Sequence, residues 1–426
     1  GGGGMAAAAV APGGGWVDVA LLKDEGNAAG LMMEDGISTL TFYKGDAGAA
    51  SAALRQQFGL VVAANPWLAG HLERAGKGVV LRHPASPSEQ QVGALFRGKA
   101  HLHGFQPSPT APYLETCAAM FKAKEAVVPS GNDLLGKGAP VSRLTVAGAG
   151  AGAFSVVFSL SHAVGDGRTY YEVLKMLQPG AEPRALRTER KQSFSEDMRD
   201  VCGRKELEWA DTCGTQCLYT CGMMFAPGKP KCFAFELDEE QLAAAKSAGK
   251  AGGRVAHVST NDVITSGFFT ACKARIGMMG MDCRGRMEGI EDDMAGNYVT
   301  ALTMDESTFG SPAAVREMLS SKPFKTTTMP LPSCFGWMCG NDSASFAMAT
   351  NWSSFAGDIV QLEGCELQIH LPLKNPAYCV FDLVIPFAAR PGKVGLLCWV
   401  VSTDERGLRK ALPLGSSVDA TLFPAK

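Results

Sequence analysis

Long apolar runs are missing from this 426-residue chain. None reaches the roughly 20 residues that a bilayer-spanning helix needs, so no transmembrane segment is expected. Charge of one sign is missing too: 40 Lys and Arg stand against 42 Asp and Glu, a net charge of -2. Without a general field to attract polyanions, nucleic acid and anionic membranes are excluded as expected partners. Histidine is scarce, with seven in all, and no C-x-x-C pair of the common zinc-site type occurs. The 13 cysteines are odd in number and cannot all pair within one chain. With no secretory h-region, reduced thiols in an intracellular compartment are expected, the cytoplasm first. A plastid or other organelle stays open, although the low-complexity start, Gly1 to Ala9, lacks the Arg and Ser enrichment of a transit peptide. Cys213, Cys217 and Cys221 share one helix face but have no histidine nearby, so they read as packing residues and no metal is expected. Internal repeats are absent.

Against this plain background one motif stands out, His162-Ala163-Val164-Gly165-Asp166-Gly167, of pattern H-x-x-x-D-G. With seven His and fifty Gly in the chain, random placement gives the triplet only about 0.04 times. Before it, Ala153 to Ser161 is a β-rich, nearly continuous apolar run of the kind found in buried strands. After it, Arg168 to Leu177 carries apolar positions at helical spacing, which places the motif in a strand-to-helix turn. Such a turn can present His162 to a cavity, where an imidazole accepts a proton near neutral pH. Asp166 is expected to hold the turn through an ion pair, and Gly165 and Gly167 to supply backbone angles that larger residues resist. The competing reading is a structural histidine at a strand end.

The motif resembles that of the CoA-dependent acyltransferase superfamily, which includes plant BAHD acyltransferases, chloramphenicol acetyltransferase and peptide-synthetase condensation domains. The likeness runs nearly end to end. Asn65-Pro66-Trp67-Leu68-Ala69-Gly70-His71-Leu72 resembles the family's P-x-L-A-G-R-L segment, with His71 where Arg is usual. Ser259-Thr260-Asn261-Asp262-Val263-Ile264-Thr265-Ser266 resembles the S-x-N-D segment that opens a helix in the second domain, and makes Ser259 and Thr260 coenzyme-binding candidates. Its Ser, Thr, Asn and Asp are also good N-cap residues for an apolar helix from Val263 to Cys272. Asp282-Cys283-Arg284-Gly285-Arg286 and Gly296-Asn297-Tyr298 resemble the R-x-R strand and G-N element, with Asn297 as structural support. The resemblance implies an arginine that pairs with Asp166: Arg286 first, Arg284 second. Thr350-Asn351-Trp352 resembles the T-S-W segment, which implies Thr350 as a donor to a developing oxyanion and Trp352 as an acceptor-pocket wall. One signature departs. Where D-F-G-W-G should follow Trp352, the chain has Gln361-Leu362-Glu363-Gly364, and the similar Cys334-Phe335-Gly336-Trp337 lies upstream.

The implied fold is α/β (mixed α+β), with two chloramphenicol-acetyltransferase-like domains, each a mixed sheet flanked by helices, and an interdomain channel. The length suits two domains. They are expected at 16–225 and 232–426, after a low-complexity 1–15 and with a linker at 226–231 (Ala226-Pro227-Gly228-Lys229-Pro230). Further strands are expected at Trp16 to Leu22, Ile37 to Tyr43, Val79 to His83, Arg143 to Val146, Cys232 to Leu237 and Val394 to Ser402. Helices are expected at Ala47 to Phe58, about Phe194 to Tyr219, Glu239 to Ala248 with Asp238 as N-cap, and Asp404 to Leu412. Pro107 to Pro112 and Ala147 to Gly152 read as loops. The implied activity is acyl transfer from acyl-CoA, a co-substrate and not a tightly bound cofactor, to a hydroxyl or amine of a small-molecule acceptor. Two alternatives stay open: a non-catalytic acyltransferase-fold scaffold or subunit with protein partners, and a condensation domain. A second histidine just before the motif would favour the latter, and Ser161 occupies that position.

Overall fold

Strand β7 (Ala153–Leu160) is the element that delivers the motif, and its apolar run is explained by its place in the interior of a sheet. In the computed structural model, which describes residues 15–28, 30–98, 111–123, 125–150, 152–204, 208, 231–321, 346–375 and 381–417, β7 lies antiparallel between β2 (Ile37–Lys44) and β6 (Ser142–Gly150). A strand buried on both faces has no reason to alternate apolar and polar residues. Its two buried serines are satisfied internally: Ser159 Oγ lies 2.7 Å from Ser38 Oγ and accepts from Val128 N at 2.8 Å, and Ser155 Oγ donates to Ala147 O. The glycine-rich segment expected as a loop is mostly strand. β6 runs through Gly150, and the reversal into β7 uses left-handed backbone at Gly150 and Gly152, with φ of 76° and 74°.

The sheet is completed by β5 (Phe96–Arg97) beyond β6 and by β12 (Glu366–Leu373) beyond β2, in the order β12-β2-β7-β6-β5. β12 comes from the far half of the chain. It pairs antiparallel with β2, Leu371 opposite Leu40, so the first sheet takes a strand from beyond the division expected at 226–231. A second sheet holds β8 (Lys231–Leu237), β9 (Ile276–Asp282), β10 (Val299–Met304), β11 (Phe346–Ala349), β13 (Asp382–Arg390), β14 (Lys393–Val400) and β15 (Leu414–Ser417), in the order β10-β9-β11-β13-β14-β8-β15. β1 (Trp16–Ala20), β3 (His71–Ala75) and β4 (Gly78–Pro84) form a small third sheet.

Each large sheet has its own apolar core, and a third core joins them. Leu40 and Phe42 of β2 and Val157 of β7 meet Ile369 and Leu371 of β12 and Leu383, Ile385 and Trp399 of the second sheet. Local capping chemistry sets the helix starts. Asp238, Ser259 and Asp404 each accept from a backbone N–H three residues on, opening helices Glu239–Lys250, Thr260–Ala271 and Glu405–Ala411. The helix expected from Ala47 extends to Ala64. Of the segment from Phe194, the helix Phe194–Cys202 is described. The cysteine trio Cys213, Cys217 and Cys221, the linker 226–230 and Cys334 to Trp337 lie outside the described residues. No described helix is long and apolar enough to cross a membrane.

Candidate active site

The turn from β7 into helix Gly167–Met176 holds His162 at the rim of a cavity and buries the residues that anchor it. Ala163 and Val164 are fully buried in the first core. Gly165 is required for space and not for a special backbone angle, because a Cβ there would lie 2.8 Å from Thr169 Cγ2. Gly167 is a different case from the expectation. Its φ is ordinary, and an added Cβ would meet nothing nearer than Trp352 Nε1 at 3.8 Å, so its role is to leave room beside the cavity. Asp166 is the N-cap of the helix, its Oδ1 accepting from Thr169 N at 2.9 Å.

The other carboxylate oxygen, Asp166 Oδ2, accepts from Arg284 Nη1 at 2.8 Å and from Tyr298 N at 2.9 Å. Both side chains are buried, Asp166 at 2% and Arg284 at 0% exposure. Burial alone would raise the Asp166 carboxyl, but the Arg284 guanidinium and the two backbone donors outweigh it and hold the carboxyl below its usual range. Arg284 is fully used: it also donates to Asp282 Oδ1, Thr169 Oγ1, Gly296 O and Met294 O. The partner is therefore Arg284 and not Arg286, the first choice from the sequence. Arg286 is exposed beyond Gly285, whose φ of 65° turns the chain, and donates to the backbone oxygen of Asp282. Arg284 lies in the turn after β9, not within the strand.

A second buried ion pair stands behind the motif. Glu25 and Arg190, at 0% and 1% exposure, meet through Arg190 Nε at 2.9 Å. Asn297 donates to Glu25 Oε1 through both its backbone N (2.8 Å) and its Nδ2 (3.1 Å), and the same Nδ2 donates to His162 O at 2.9 Å. Arg190 Nη2 donates to Val164 O at 2.9 Å. Neither Glu25 nor Arg190 was singled out by the sequence, where each reads as an ordinary surface charge.

The cavity itself, about 360 Å³, is lined by residues from both large sheets, among them His162, Gly167, Thr350 and Trp352. His162 lines the cavity, and its Nδ1 is buried with no hydrogen-bond partner among the described residues. Thr350 follows directly on β11, its backbone N donating to Val384 O, and Trp352 is fixed by its N donating to Pro386 O and by an edge contact with Tyr171. Apolar side chains such as Phe121, Phe355 and Leu383 make up much of the wall. Polar groups gather at Glu34, Asp35 and Lys374. Lys374 Nζ lies 2.6 Å from Glu34 Oε2 and holds that carboxyl below its usual range against burial, with His162 adding to the effect. Burial pushes the Asp35 carboxyl up. Glu34 is thus an acid within electrostatic reach of His162 that no motif marked.

Ser259 and Thr260 do not line this cavity. The Ser259 hydroxyl accepts from Asp262 N and from Arg316 Nη2 at 2.8 Å, while Arg316 also bonds Asp262, so this segment is occupied with capping its helix. His162, Asp166, Gly167, Thr350, Trp352, Asn297 and Arg284 converge from distant parts of the chain.

A scan against models of protein families finds no match, and a search of curated proteins finds none. Solved structures do match. The first condensation domain of the calcium-dependent antibiotic synthetase, in complex with a substrate analogue, is 14% identical with a TM-score of 0.57, over 93% of this chain and 94% of that one. TRI101 of F. graminearum, complexed with coenzyme A and T-2 mycotoxin, is 14% identical with a TM-score of 0.54, over 92% and 96%. Vinorine synthase is 13% identical with a TM-score of 0.56, over 95% and 98%. At these identities the likeness is one of fold, and it spans nearly the whole chain. In fold, the chain is similar to these three proteins, in line with the resemblance that its His162, Asp166 and Gly167 motif bears to the CoA-dependent acyltransferase superfamily.

Proposed function

We propose that the chain is an acyltransferase that moves an acyl group from a coenzyme A thioester to a hydroxyl or amine of a small-molecule acceptor. The observation that carries this reading is the placement of His162 on a cavity between two sheets, in a turn pinned by the buried Asp166–Arg284 pair. His162 Nε2 takes the proton of the acceptor O–H or N–H as its oxygen or nitrogen attacks the thioester carbonyl. The tetrahedral oxyanion accepts a hydrogen bond from Thr350. The C–S bond then breaks, and protonated His162 returns the proton to the thiolate, giving ester or amide and free coenzyme A. Trp352 and Phe355 give the acceptor an apolar wall. Asp166 and Arg284 act by holding the turn. Coenzyme A as thioester carrier is supported by the fold shared with TRI101, which was solved with it.

The test is release of free thiol from a panel of acyl-CoA thioesters, with and without mixed alcohol and amine acceptors. Release that requires an acceptor supports the proposal. No release with any pair, together with no measurable binding of coenzyme A, would assign the chain to the scaffold reading.

A further inference from the structure

Between the end of β7 and the start of helix Gly167–Met176, the motif leaves regular structure, and neither a strand ladder nor a helix supplies partners for the carbonyls of His162 and Val164. Ser161 N still reaches Val141 O, and Asp166 N reaches Gly296 O. In the stretch between them, His162 O and Val164 O accept from two side chains, Asn297 Nδ2 and Arg190 Nη2. Both donors are aimed by one carboxylate. Glu25 accepts from Arg190 Nε, from Asn297 N and Nδ2, and from Leu22 N at 2.9 Å. Arg190 Nη1 donates to Thr188 O and Ala295 O. Four separate segments are thereby tied together: residues 22–25, the motif loop, residues 188–190 and residues 295–297.

We infer that Glu25, Arg190 and Asn297 form a positioning clasp that sets the main chain of His162, and with it the direction of Nε2 into the cavity. The inference rests on the proposed role of His162 as base. A buried ion pair is a poor device for stability alone, since apolar residues of similar volume commonly do as well. Here Arg190 donates to Val164 O, and Asn297, held by Glu25, donates to His162 O, so the two carbonyls on either side of Ala163 are both bound next to the histidine. The space behind the loop is also committed to it: Gly296 has a φ of 137°, and a Cβ there would lie 2.8 Å from Arg190 Nε. The Asp166–Arg284 pair fixes the far end of the same loop, so the clasp sets position at the histidine end. None of the three residues is a catalytic residue in this account.

The test uses the full chain with Asn297→Ala, the double variant Glu25→Gln/Arg190→Met, and Arg316→Met as a control that breaks a capped, ion-paired site away from the cavity. Asn297→Ala keeps the backbone N–H that satisfies Glu25, so the fold is expected to survive it. Two readouts are taken: kcat and KM for acyl transfer, and the rate of His162 carbethoxylation by diethyl pyrocarbonate, followed at that residue by mass spectrometry. The clasp predicts a kcat loss of about tenfold to a hundredfold with KM within about twofold, as expected when a reacting group is displaced by an ångström or so. It also predicts an altered labelling rate at His162 in both clasp variants and no change in the control. Unchanged kcat and labelling in folded clasp variants would overturn the inference, and so would clasp variants that unfold while Arg316→Met does not. If the wild type transfers no acyl group, the proposed function fails, and the labelling rates still decide whether the clasp positions His162.

Discussion

Replacing Arg284 by methionine keeps much of its volume but removes the cation beside Asp166. Asp166 would retain Thr169 N and Tyr298 N as donors and lose Arg284 Nη1, while Met294 O would lose Arg284 Nε, and Gly296 O would lose Arg284 Nη2 but keep Asp166 N and Thr169 Oγ1. Removing one partner of a buried pair typically costs about 3–5 kcal/mol, and the full engagement of Arg284 places this case in that range. The dependence on pH is more telling than the size. In the wild type the Asp166 carboxyl is held below its usual range, so its contribution is present above the unfolded carboxyl pKa of about 3.9 and is lost as pH falls through the lower folded value. Without Arg284, burial dominates and the folded carboxyl lies above its unfolded value, so the variant gains stability on acidification relative to the wild type. Urea unfolding followed by tryptophan fluorescence at pH 7 and pH 5 should therefore show a gap that narrows at the lower pH. Arg286→Met, at an exposed site, should change stability by no more than about 0.5 kcal/mol. A gap for Arg284→Met below about 1 kcal/mol at pH 7, or one that is the same at both values, would refute the reasoning.

Gly165→Ala should destabilise by about 1–3 kcal/mol, because its methyl meets Thr169 at 2.8 Å. Gly167→Ala, whose nearest neighbour would be 3.8 Å away, should leave thermal stability nearly unchanged and raise KM for the acceptor; equal melting temperatures for the two variants would contradict this. His370 is buried between Thr41 Oγ1 and Tyr171 OH, and burial pushes its imidazole down to about 3. Its unfolded form gains a proton first as pH falls below about 6.5, so the wild type loses up to about 1.4 kcal/mol per pH unit there from this group. His370→Gln should have a flatter stability profile between pH 6.5 and pH 4, and matching slopes would sink the prediction. Thr350→Val should lower kcat about tenfold or more with little change in KM if its hydroxyl serves the oxyanion; a change confined to KM would place Thr350 in binding alone.

What was legible in the sequence was mostly local. The apolar run ending at Ser161, the helical spacing after Gly167, and the capping residues Asp238, Ser259 and Asp404 each depend on neighbours within a few residues, and each element formed as its pattern implied. Thr350, Trp352 and Asn297, singled out through the resemblance, lie far apart in the chain and line one cavity in the structure. Longer-range choices could not be read. Nothing near Glu366–Leu373 reveals that it pairs with Ile37–Lys44, because register between strands so far apart is set by the assembled core. Arg284 and Arg286 differ by one turn residue, and only the left-handed Gly285 between them decides which is buried. Glu25 and Arg190 have the composition of surface residues, and their burial becomes visible only when four segments meet.

If His162 is the base of an acyl transfer, its removal abolishes acylation of the acceptor. The most direct measurement is the mass of the acceptor after incubation with an acyl-CoA that supports turnover, for wild type and His162→Ala at matched folded concentration. The account predicts an acceptor heavier by the acyl group with the wild type and unmodified acceptor with the variant. Equal yields of acylated acceptor from both proteins would contradict it.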